Sequence, residues 1–145
     1  MQTNVLIVGA GPTGLALANT LQREGVDHTL IDRLPVAQNT SRAAVIHAHT
    51  LEVLQSIGVA QRLVDLGLKL AQFSIRDRDR ALTTLNFSSI ASQYPFLLML
   101  PQQFTERVLE DRLATQGWSC RAADDSNQYR ADGGGCAGRG CRSQR

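Results

Sequence analysis

The run Gly9-Ala10-Gly11-Pro12-Thr13-Gly14, set directly after Val5-Leu6-Ile7-Val8, constrains this chain more than any other feature. A short buried strand delivers the backbone to a turn in which each glycine has its own task. Gly9 permits the tight bend, Gly11 leaves room for a pyrophosphate to approach the backbone, and Gly14 lets the next helix pack close to the strand. The start of that helix offers unpartnered N–H groups and a partial positive charge. A second apolar run, Thr29-Leu30-Ile31, ends on Asp32, eighteen positions beyond Gly14, where a carboxylate accepts hydrogen bonds from an adenosine ribose. Strand, glycines, helix and acid stand in the right order. Together they outweigh the plainer reading of a glycine-rich turn in an ordinary α/β unit, and they predict a βαβ start over residues 4–32 with a dinucleotide site at its turn.

Side-chain periodicity agrees. Leu15, Leu17, Ala18 and Leu21 fall on one arc of a helix, with Asn19, Thr20, Arg23 and Glu24 on the other. Pro12 is tolerated at the helix start, where its missing N–H costs no bond. Gly25 marks the stop, and His28–Ile31 reads as the second strand. Further on, the pattern predicts helices at 50–56 and 60–66, stopped by Gly58 and Gly67. It also predicts a hairpin of 73–78 and 81–87 about the charged turn Asp77-Arg78-Asp79-Arg80, a strand at 97–100, and a helix over 102–116. That last helix would bury Phe104, Val108, Leu109 and Leu113.

Composition limits the rest. A net charge of +2 spread over 145 residues gives no basis for nucleic-acid binding. The apolar runs are too short for a signal core or a membrane span, so a soluble, cytoplasmic protein is expected. Cys120, Cys136 and Cys141 are odd in number and have no histidine beside them, which argues against a zinc site and a disulfide framework. His47 and His49, two apart, do not share a helical face and read as structural or exposed.

From Cys120 onward the chain has no Val, Ile, Leu, Met or Phe. Such a stretch buries too little surface to offset its chain entropy, so residues 120–145 are expected to be a disordered tail behind an ordered part at 1–119. A frameshift near codon 120 followed by an early stop would account for the break, because a one-base shift can turn the codons of Gly133-Gly134-Gly135 into valines.

Three stretches carry a resemblance. They are Val5–Leu15 with Leu30-Ile31-Asp32-Arg33; Ser41-Arg42-Ala43 with Thr50-Leu51-Glu52-Val53-Leu54 and Gly58; and Leu100-Pro101-Gln102 with Glu106 and Leu109. In these the chain resembles the N-terminal part of the FAD-dependent aromatic hydroxylases, the FAD-binding monooxygenases typified by p-hydroxybenzoate and phenol hydroxylases. The resemblance covers residues 4–119. It implies the N-terminal part of a Rossmann-like FAD-binding α/β fold, incomplete, with a parallel βαβ start and a hairpin. It implies FAD bound by Gly9, Gly11, Pro12, Thr13, Gly14, Asp32, Arg33, Arg42 and Gln102, NAD(P)H as electron donor, and an aromatic or polyketide-like small-molecule substrate.

Arg42 would reach the pyrophosphate and ribityl region, where a guanidinium gives paired hydrogen bonds that a lysine would not; read alone, it is a solvated loop arginine. Gln102 would contact the flavin side of the cofactor, and Glu106 would support its helix. His49 stands where many relatives carry arginine. Phe73, Phe87 and Tyr94-Pro95-Phe96 fall in segments that in relatives lie beside the substrate cavity; each alone reads as core.

The family's Gly-Asp motif has no counterpart here, and Asp132-Gly133 lies in the glycine-rich tail. No catalytic residue or metal ligand is assigned, and the 145 residues alone are expected to be inactive. A non-catalytic nucleotide-binding remnant and an NAD-dependent dehydrogenase domain are the other readings.

Overall fold

The computed structural model describes residues 5–32, 45–121 and 139–143, with side chains described up to Trp118. In chain order the elements are β1 (Val5–Val8), α1 (Pro12–Arg23), β2 (His28–Asp32), β3 (Val45–Ile46), α2 (Ala48–Gln55), α3 (Ala60–Leu66) and β4 (Leu68–Leu70). They continue with β5 (Gln72–Asp77), β6 (Arg80–Asn86), β7 (Leu97–Met99), α4 (Gln102–Thr115), β8 (Trp118–Arg121) and β9 (Arg139–Ser143). The chain divides into two compact units, one of Met1–Thr40 with Glu106–Arg145 and one of Ser41–Thr105.

In the first unit β1 and β2 pair in parallel, Val5 opposite His28 and Val8 opposite Ile31, with α1 as the crossover. This is the βαβ start expected from the glycine and apolar pattern. Within this unit α1 packs on both strands and buries Leu15 and Ala18. Among the described residues of the unit, Ile7, Leu30, Val108, Leu109, Leu113 and Trp118 are the other buried apolar ones. β1 ends the sheet, whose order is β1-β2-β9-β8. Only Ile7 of β1 is buried; Leu6 is 53% and Val8 76% exposed, so the expectation of a buried first strand holds for one face alone. Alternation along a strand puts Leu6 and Val8 on the face opposite Ile7.

Asn19 corrects the helical arc. It is fully buried, whereas Leu17 is 44% exposed. Its Nδ2 donates to the Leu15 carbonyl at 2.9 Å and to the Leu109 carbonyl at 3.0 Å, so it ties α1 to α4. Gln22 Nε2 adds a bond to the Gln116 carbonyl at 3.3 Å. Asn19→Ala removes both bonds and leaves a small void. The expected cost is about 1–3 kcal/mol, measured as a lower midpoint in urea unfolding with the slope unchanged.

The sequence expectation of a disordered tail from residue 120 meets a different backbone where it is described. Cys120 and Arg121 lie in β8, and Arg139–Ser143 form β9, antiparallel to both β2 and β8. Strand pairing satisfies backbone donors and acceptors at an open edge and needs no apolar side chain. Residues 122–138 and 144–145 lie outside the described residues.

In the second unit β3-β7-β4 form an antiparallel sheet, and β5-β6 form the expected hairpin with a bulge at Ile75/Arg76. Its buried residues include Ile46 of β3, Leu51, Leu54, Ala60, Leu63 and Val64 of α2 and α3, Ile57 and Val59 between those helices, Leu97 and Leu98 of β7, and Tyr94 and Leu100 beside it. Tyr94 meets Phe96 edge to face at 6.1 Å, and Lys69 Nζ stands 5.6 Å from the Phe96 ring centre. Phe73 departs from the core reading: β5 is exposed along its whole length, and Phe73 with it. Phe104 departs likewise, being 40% exposed, while Thr105 beside it is buried.

Candidate functional site

The site begins where β1 ends. Because β1 and β2 are parallel and in register, their C-terminal ends finish side by side. Gly9 continues the pairing: its N–H donates to the Ile31 carbonyl at 2.7 Å. It does so at φ +107°, a conformation that L side chains rarely adopt, so the bend requires glycine. The next N–H, that of Ala10, donates to Asp32 Oδ2 at 2.6 Å.

Gly11 is the N-cap of α1, extended at φ −76° and ψ −179°. Pro12 follows at the first helical position and excludes the helical region for its predecessor, so the helix begins there. The first turn closes when the Leu15 N–H donates to the Gly11 carbonyl at 2.9 Å. No side chain caps this end and no acidic residue lies in the first turn. By helix geometry the N–H groups of Thr13 and Gly14 have no acceptor within the helix.

The two helix-side glycines differ in kind. A Cβ on Gly14 would overlap the Gly9 carbonyl oxygen and come within 3.4 Å of Ile7 Cγ2. Among the described residues, a Cβ on Gly11 would meet nothing within 4 Å. Gly14 therefore serves packing, whereas nothing among the described residues demands Gly11; the space over it fits a ligand that comes up to the backbone. Open space, an uncapped helix end and an acid at the β2 terminus fit the pyrophosphate and ribose of an adenine dinucleotide.

Gly9, Gly11, Pro12, Thr13, Gly14 and Asp32 thus lie together in one unit. Arg33 and Arg42 lie outside the described residues. Gln102 is the first residue of α4, half-buried, and is counted with the second unit. His49 is exposed, with Nδ1 3.6 Å from Glu52 Oε2. The glycine and acid pattern alone does not reveal the Ala10 N–H as a partner of Asp32. The signal for it lay in parallel register, which sets the residue after β1 beside the last residue of β2. Among the described residues no helix is long and apolar enough to cross a membrane.

Comparison with known proteins places these features in a family. The chain is 44% identical over 110 residues to pentachlorophenol 4-monooxygenase of Sphingobium chlorophenolicum, which covers 75% of this chain and 20% of that protein. It is 41% identical over 126 residues to 6-methylpretetramide 4-monooxygenase of Streptomyces rimosus, covering 83% and 23%. Aklavinone-11 hydroxylase, solved as a ternary complex with FAD and aklavinone, superposes with a TM-score of 0.66 at 28% identity, covering 86% of this chain and 28% of that one. The chain spans between a fifth and about a quarter of the length of the two curated relatives. The model of the FAD binding domain family matches residues 2–143, the glycine loop and Asp32 included, and the chain belongs to that family.

Proposed function

We propose that this chain forms the adenine-dinucleotide-binding part of an FAD-dependent, NAD(P)H-driven monooxygenase acting in the cytoplasm on an aromatic or polyketide-like small molecule. The observation that carries the reading is the open space over Gly11 at an uncapped helix N-terminus, within a chain of the FAD binding domain family. The named relatives, a pentachlorophenol and a 6-methylpretetramide monooxygenase, support the substrate class.

Each residue has a task in that reading. The N–H groups of Thr13 and Gly14 bind and orient the pyrophosphate, and Gly11 keeps the approach clear. Asp32 accepts from the ribose hydroxyls. Arg33 and Arg42 neutralise phosphate charge, with the paired geometry a guanidinium allows. Gln102 contacts the flavin side. Bound flavin supplies the redox chemistry, accepting electrons from the nicotinamide and activating oxygen, while the protein binds, orients and excludes water.

Calorimetric titration of the 145-residue chain with FAD tests the reading. FAD is expected to bind at one site per chain, and ADP to compete for it. Absence of binding by both would overturn it, as would saturable binding of NAD that FAD fails to displace.

A further inference from the structure

We propose that Asp32 is a positioning residue for the phosphate loop as well as a reader of ribose: through the Ala10 N–H it holds the glycine loop in its binding conformation before any ligand arrives. The proposal rests on the dinucleotide-binding reading above and deepens it.

The loop leaves β1 with two successive N–H groups directed at β2. That of Gly9 reaches the Ile31 carbonyl at 2.7 Å and extends the ladder by one residue. The ladder ends there. The Ala10 N–H takes instead the Asp32 carboxylate at 2.6 Å, a charge-assisted bond and so among the stronger kinds. From the other side Gly14 abuts the Gly9 carbonyl. The turn is held at both flanks, by β2 through Asp32 and by α1 through Gly14.

A Gly-Ala-Gly segment needs such holding. Glycine loses more conformational freedom on ordering than any other residue, and an unheld loop would bear that cost at the moment of binding. Accepting from Ala10 does not remove Asp32 from ribose recognition, since a carboxylate offers about four lone-pair sites. One side chain thereby links the two halves of the recognition, and its influence extends to phosphate groups it does not touch.

The two roles separate in a ligand that lacks ribose hydroxyls. ADP and 2′,3′-dideoxy-ADP are titrated into the wild-type chain, Asp32→Ala and Asp32→Asn. Both substitutions remove the charge, but the asparagine amide oxygen can still accept from the Ala10 N–H, so their difference isolates that bond. Asp32→Ala is expected to bind dideoxy-ADP about fivefold more weakly than Asp32→Asn. Equal affinities of the two variants for dideoxy-ADP would overturn the positioning role.

Amide hydrogen exchange at Ala10, read by NMR without ligand, gives a second and independent answer. Protection in the wild type and in Asp32→Asn, lost in Asp32→Ala, supports the proposal; an unprotected Ala10 in the wild type overturns it. Failure of ADP to bind the wild type would count against the dinucleotide reading alone, and the exchange result would still decide the role of Asp32.

Discussion

Gly11→Val is expected to abolish FAD binding while leaving the domain folded. Two observations set the sign of each effect. The Gly11 backbone is extended, a region that a β-branched residue favours, and beyond its chain neighbours no described residue comes within 4 Å of its Cβ position. The fold therefore meets no clash. What it loses is a better N-cap, since glycine is preferred to valine there, at a cost of about 1 kcal/mol or less.

The ligand fares differently, because the isopropyl group fills the space through which a pyrophosphate reaches the Thr13 and Gly14 N–H groups. Losing that approach forfeits several hydrogen bonds to a charged group, each worth about 1.5–3 kcal/mol. A hundredfold loss needs only about 2.8 kcal/mol, so binding should fall below calorimetric detection. Titration with FAD, beside a circular dichroism melt of the same sample, checks both halves. Unchanged affinity would take Gly11 out of the site. Loss of the folded signal would show that the open space is needed by the protein itself.

How much of this was legible in the sequence depends on range. The βαβ start was readable because its signals are local: apolar runs of strand length, a helix-period stripe, and glycines at the positions where the backbone turns and packs. α3 and the β5-β6 hairpin were readable for the same reason. Asn19 was not. Its burial follows from the Leu109 carbonyl, ninety positions away, and no helical arc contains that information. Leu17 and Phe104 carry the converse lesson, since an apolar residue on the expected arc is buried only if something covers it. β3 and β4, two and three residues long, are too short to show a period, and strand pairing makes them.

At the site the residue types were legible and the internal bond was not. By position Asp32 reads as an acid awaiting a ribose. That it already holds a backbone N–H follows from parallel register, which becomes visible only once the two strands are set side by side. The departure at β8 and β9 has the same root. Composition measures what side chains can bury, whereas the ladder from β2 through β9 to β8 is made by the backbone.

Gly14→Ala should be the most damaging small substitution in the first unit, although helix propensity argues the other way. Gly14 is the third residue of α1, and replacing glycine by alanine inside a helix is ordinarily worth about 1 kcal/mol in favour of the folded state. Here the added methyl would overlap the Gly9 carbonyl oxygen, with the Gly9 carbonyl carbon 3.1 Å away. Those are backbone atoms, so no rotamer change relieves the overlap. The Gly9 peptide cannot easily retreat, because its N–H is tied to Ile31 and the following N–H to Asp32.

α1 must then lift from the sheet, which opens the packing around Leu15 and Ala18, both buried almost completely. Overpacking of this kind costs about 1–3 kcal/mol, and the rigid backbone obstacle puts Gly14→Ala at the upper end, beyond what propensity returns. At about 2–4 °C per kcal/mol for a chain of this size, the melting midpoint should fall by several degrees, and FAD affinity should fall with it as the loop shifts. Thermal unfolding followed by circular dichroism measures the first, and titration the second. A raised midpoint would mean that propensity outweighs contact and that α1 sits further from β1 than the Gly14–Gly9 approach requires. Set beside Gly11→Val, the pair separates two glycines three positions apart: one whose substitution should spare the fold and remove the ligand, and one whose substitution should reach the ligand only through the fold.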